Sequence, residues 1–175
     1  MDKFNFNNRP NAARIELTKN SALSDIDTEV VLQFLNFQWA YRGMQRQYDA
    51  VLTQHHLTES RFIILMFLSE ATDQQLLPSE IADQLGATRA TVSKLLRGMA
   101  ADGWVQKRAS ETDKRATYMQ LTPTGKATLD AFLPANFAAV KTLFGQLTPD
   151  ELKTFASLLN KINQGTSNLK TEMES

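Results

Sequence analysis

Gly86 and Gly103 bracket a stretch of chain with room for one short helix and no more. Within it Val92, Leu95, Leu96 and Met99 fall at i, i+3, i+4 and i+7, a single stripe for burial. Thr88 is placed as the N-cap. The segment before it is equally confined. Pro78 fits the first turn of a helix that turns Ile81, Ala82 and Leu85 inward, and Gly86 ends it. After Gly103, Trp104–Arg108 and Thr117–Thr122 read as short strands joined by a charged tip.

Longer patterns flank this centre. Residues 1–23 are Asn-rich and weakly patterned, a polar arm. From Ser24 to His56 the spacing predicts a long amphipathic helix. Its seam is Val30, Phe34, Phe37, Tyr41, Met44, Tyr48 and Val51, widened by Val31 and Leu35. Thr58 then caps a helix through Phe62, Leu65, Met66 and Leu68. "LTPTG" starts another helix, with Thr122 as cap and Pro123 at its first position. "LTPDE" starts the last, with Glu151 in the capping-box position to Thr148 and an apolar set of Leu152, Phe155, Leu158, Leu159 and Ile162. Residues 165–175 read as a polar, fraying tail.

The fold class is therefore mainly α with a small β-hairpin wing (α+β). A winged helix-turn-helix domain over residues 57–122 is flanked by helices at 24–56 and 123–164. The outer stripes exceed what three small central helices can cover, so they are expected to pair between two copies. Val30, Phe34, Leu152, Phe155, Leu159 and Ile162 are the seam candidates.

Composition narrows the chemistry. No cysteine is present, which excludes disulfides, thiol redox sensing and thiolate-bound zinc, and fits a reducing cytoplasm. No apolar run follows the charged first residues, so no signal peptide is expected. The run at Phe62–Leu68 is too short to cross a bilayer, so no membrane contact is expected. There is no Gly-rich phosphate loop, nucleophile elbow or metal-ligand spacing. His55 and His56 are adjacent and read as surface residues. Neither an enzyme nor a cofactor or metal site is expected.

Net charge is zero over 175 residues, yet it is unevenly placed. Between Thr88 and Arg115 stand Arg89, Lys94, Arg97, Lys107, Arg108, Lys114 and Arg115 against Asp102, Glu111 and Asp113, so that segment is +4 and the remainder −4. Such asymmetry fits a small DNA-reading module on a neutral or acidic body, though a solvated helix face has the same composition. Opposite the Val92–Met99 stripe lie Ala90, Lys94 and Arg97, flanked by Thr91 and Ser93, with Arg89 in the first turn. Two cations reach guanine edges or phosphates, and a small residue allows close approach to the major groove. The tip, with Lys114 and Arg115 beside Asp113, suits an adjacent minor groove, where Asp113 holds Arg115 extended.

The run "LPSEIADQLGATRATVSKLLRGMAADGWVQKRASETDKRATYMQLTPTGK" resembles the MarR family of winged helix-turn-helix transcription regulators. "SEIADQLG" matches its first helix, "TRATVSKLL" its recognition helix, "DGWVQKR" and "DKR" its wing, and "LTPTG" the exit. Length, the polar arm and "FLP" at 132–134 also resemble the branch that controls multidrug efflux (EmrR/MprA-like). The resemblance implies a homodimer on a pseudo-palindromic double-stranded DNA operator, repressing until a small aromatic or lipophilic effector loosens it. It makes Arg115 the minor-groove arginine, Asp113 its orienting carboxylate and residues 88–97 the major-groove face, with Lys107 entering the wing. Lys114 stands where the family often has arginine. The aromatics of the first two helices read either as core and dimer seam or as an effector pocket. Trp39, off the seam, with Arg42, Phe62 and Met66, are the pocket candidates, and Arg42, Arg46 or Arg61 is available to an anionic group. A winged-helix protein-interaction module without DNA binding is the alternative reading.

Overall fold

The computed structural model describes residues 27–109 and 116–174. The polar arm, residues 24–26, where the long helix is expected to begin, and the wing tip with Asp113, Lys114 and Arg115 lie outside the described residues. The chain forms two compact units, residues 1–134 and 135–175.

In the first unit, α1 (Thr28–Gln54) opens where the Asp27 carboxylate accepts the Glu29 N–H at 2.9 Å and closes at His55. Its C-terminal end enters the core through Leu52, while Val30 and Phe34 stay 65% and 57% exposed. After a left-handed residue at His56, Thr58 caps α2 (Glu59–Glu70). Ile64, Leu65 and Leu68 of α2 are fully buried. A 3₁₀ turn (Thr72–Gln74) leads into β1 (Gln75–Leu76), and α3 (Pro78–Leu85) follows, its Glu80 carboxylate accepting the Leu77 N–H at 2.7 Å. Gly86 ends α3 with φ 63°, a left-handed turn that glycine adopts without steric cost.

α4 (Arg89–Ala101) buries Val92, Leu96 and Met99 against α2 and α3, and β2 (Val105–Ala109) and β3 (Thr117–Leu121) form the hairpin stem. The sheet has three antiparallel strands in the order β1-β3-β2, where the sequence pattern gave a two-stranded hairpin. β1 pairs Gln75 with Gln120 and Leu76 with Met119. Two residues are too short to show a period-two pattern, and only the neighbouring strand makes them a strand.

α5 (Pro123–Phe144) leaves the sheet at a tight junction. The Thr122 hydroxyl donates to the Gly103 carbonyl at 2.6 Å and accepts the Gly125 N–H at 3.0 Å. A Cβ on Gly125 would lie 2.2 Å from the Trp104 carbonyl oxygen. Phe132 of α5 is fully buried; the Phe62 and His55 rings meet it edge-on at 4.9 and 5.3 Å. His55 is therefore a packing residue, in correction of the surface reading, while His56 is exposed.

In the second unit, α5 continues beyond Pro134 and α6 spans Pro149–Glu174. Phe144 and Phe155 pack with ring centroids 5.9 Å apart. The expected capping box is present: Thr148 N–H donates to Glu151 Oε2 at 2.7 Å, and Glu151 N–H to Thr148 Oγ1 at 3.3 Å. α6 does not fray at Gly165 but runs on to Glu174. Leu169 and Met173 extend the Ile162 stripe, and the intervening Asn, Lys and Glu residues tolerate a helix.

Two measurements check this packing. Gly125→Ala forces a methyl into the Trp104 backbone and is expected to cost about 1–3 kcal/mol or more in urea unfolding. The bonds to Thr148 hold the Glu151 carboxyl below its ordinary value of 4.5. A lowered folded-state value gives stability that is present above the unfolded value and lost as pH falls through the folded one. Helical content followed from about pH 6 to about pH 3 should therefore fall less steeply in Glu151→Gln than in the parent chain.

Candidate nucleic-acid interface

The exposed face of α4 follows from what its other face must bury. With Val92, Leu96 and Met99 inside, Arg89, Ala90, Thr91, Ser93, Lys94 and Arg97 are all exposed. Thr88 fixes the leading end: its hydroxyl accepts the Thr91 N–H at 3.2 Å and bonds the Thr91 hydroxyl at 2.9 Å. The structure thus leaves Arg89, Ala90, Thr91, Ser93, Lys94 and Arg97 of α4 exposed, with Thr88 at its N-cap. No acidic residue lies in its first turn.

Lys107 and Arg108 are exposed on β2, in register with Met119 and Tyr118 of β3. The last pair of the described stem is Ala109 with Thr117. Between Thr88 and Ala109 the one carboxylate is Asp102, and Arg61 Nη1 holds it at 2.9 Å. The exposed Arg89, Lys94, Arg97 and Lys107 therefore share their segment with a single carboxylate, and that carboxylate is paired with Arg61.

Arg61 is the residue whose role the sequence reading missed. Besides pairing with Asp102, its guanidinium lies 5.2 Å from the Trp104 ring centroid. Gly98 was the overlooked signal, because a glycine inside a helix marks a close approach.

Trp39 and Arg42 are exposed on α1, Phe62 packs on Phe132, and Met66 is half-buried. An open depression is lined by Ala71, Thr72, Asp73, Gln75, Glu80 and Tyr118, among others, and by none of those four. Of the seam candidates, Val30, Phe34, Leu152 and Ile162 are exposed, and Phe155 and Leu159 are half-buried.

A bracing helix, a tight turn, a second helix with a cationic outer face and a stranded wing define a winged helix-turn-helix protein. The description of the MarR family matches residues 55–116. The HTH-type transcriptional repressor YetL of Bacillus subtilis is 32% identical over 147 residues, covering 84% of this chain and 88% of that protein. The chain belongs to the MarR family of transcription regulators. It is also 25% identical to the transcriptional repressor MprA of Escherichia coli over 114 residues, 65% of each chain. The crystal structure of the S. aureus MepR–DNA complex superposes with a TM-score of 0.66 at 26% identity, covering 74% of this chain and 94% of that one.

Proposed function

We propose that this chain is a repressor that binds a pseudo-palindromic DNA operator as a homodimer and is released by a small lipophilic or aromatic effector. The observation that carries the reading is the α4 face, where Arg89, Lys94 and Arg97 project beside Ala90 and the Thr91 and Ser93 hydroxyls. Relatives named as repressors and a DNA complex of a similar structure support it.

Phosphate contacts from Lys94, Arg97 and Lys107 supply salt-dependent affinity, and Arg89 with the small and hydroxyl residues of α4 reads base edges. Arg115, oriented by Asp113 and accompanied by Lys114, enters the adjacent minor groove. Two copies joined through the exposed stripes present two such faces about one helical turn, ~34 Å, apart. A regulator needs no bond-making chemistry, so this is not an enzyme. Among the described residues no helix is long and apolar enough to cross a membrane, and we place the protein in the cytoplasm with its DNA.

Genomic fragments captured by the purified chain and sequenced should converge on an inverted repeat, bound by a species of twice the chain mass in light scattering. Arg115→Ala should keep that mass and weaken operator binding by more than about tenfold, at about 1–3 kcal/mol for each of two lost contacts. Capture of no duplex would instead favour a protein-interaction module.

Release requires the effector to bind the DNA-incompetent state better, by a coupling of about 1–3 kcal/mol. Salicylate-like and uncoupler-like aromatic compounds titrated against the protein should bind about five- to 150-fold more weakly when operator is present. Equal affinity in both titrations would rule out the ligand switch.

A further inference from the structure

We propose that Arg61 is a positioning residue for DNA reading, one that locks the C-terminal half of α4 to the root of the wing. This rests on the DNA-binding reading above and adds a residue on α2, away from the proposed contact face. Three contacts carry it. Arg61 Nη1 donates to Asp102 Oδ2 at 2.9 Å, and Asp102 is the C-cap of α4. The guanidinium carbon lies 5.2 Å from the ring centroid of Trp104, the residue that enters β2. A Cβ on Gly98 would come within 2.7 Å of Arg61 Nη2, so the same group also lies against α4 one turn before its C-cap.

One side chain thus spans the helix that meets the major groove and the strand that carries the wing. The anchor is firm at both ends. Arg61 stands in the first turn of α2, whose Ile64, Leu65 and Leu68 are fully buried, and the Trp104 carbonyl accepts the Thr122 N–H at 3.0 Å. The ion pair is partly exposed, with side chains 25% and 44% accessible, so it contributes little to stability. Its geometric effect is larger. A planar guanidinium can lie on an indole face while its edge donates to a carboxylate, a combination that an ammonium group does not reproduce. Glycine at 98 disfavours a helix, and the space that the guanidinium occupies accounts for it. Fixing α4 against the wing before binding avoids ordering them on the DNA, and it holds the helix in register with the bases.

The test uses the full chain, its captured operator and a scrambled duplex of equal length. In Arg61→Met and in Gly98→Ala, which displaces the guanidinium, the ratio of operator to scrambled affinity should fall by about tenfold. Scrambled-duplex affinity and dimer mass should stay at parental values, and Arg61→Lys should fall between. Gly98→Ala should melt no lower than the parent, since alanine favours the helix. Loss of stability with an unchanged ratio would mark a structural role and overturn the proposal. Amide exchange should rise over residues 98–106 but not over 64–68 in both variants, and unchanged exchange there would also overturn it. If the parent binds no duplex, the regulator reading fails on its own, and exchange over 98–106 still decides what Arg61 does.

Discussion

Burial of one stripe, Val92, Leu96 and Met99, against α2 and α3, whose own Ile64, Leu65, Leu68 and Ile81 are buried, is the constraint on which the rest of the first unit depends. A helix of thirteen residues has little stability alone in water, so α4 exists because its apolar face is covered. The same burial fixes the rotation of the helix about its axis. Arg89, Lys94 and Arg97 face outward because Val92 and Met99 cannot. Core packing and the cationic surface are two sides of one helix.

The wing is held by backbone rather than by a core of its own. β3 lies between β1 and β2, and its Met119 and Leu121 are buried beneath the sheet. Thr122 closes the stem by bonding Gly103 and Gly125 together, where no side chain fits between Gly125 and the Trp104 carbonyl. The Gln106 side-chain amide bonds that of Gln120 at 3.1 Å, tying β2 to β3 on the outer face. Such a stem sets β2, with Lys107 and Arg108, beside β3 without a large hydrophobic investment. Charge and scaffold are thus separable: the cations lie on surfaces whose positions the apolar residues and the backbone set.

Each unit also leaves apolar surface uncovered. Val30, Phe34, Phe37 and Tyr41 on α1 are exposed in the first unit, as are Phe137, Val140, Leu152, Leu158 and Ile162 in the second. Soluble chains rarely leave such stripes open to water, which supports pairing between copies. Leu169 and Met173 lengthen the α6 stripe beyond the point at which composition alone suggested a polar tail.

The sequence by itself determined the central elements and the identity of the face presented outward. Gly86 and Gly103 stop helices through backbone freedom, Thr58, Thr88, Thr122 and Thr148 start them through local hydrogen bonds, and the i, i+3, i+4 pattern selects the buried side. All of these act over a few residues and so can be read along the chain. The tertiary structure alone decided what depends on residues far apart in sequence. Gln75–Leu76 became a strand only because Gln120 and Met119 lie beside it, and His55 became a packing residue only because Phe132 reaches it. Arg61 read as a spare cation until the fold brought Asp102, Trp104 and Gly98 around its guanidinium. No local spacing encodes those encounters, because they are made by the path of the chain between the partners.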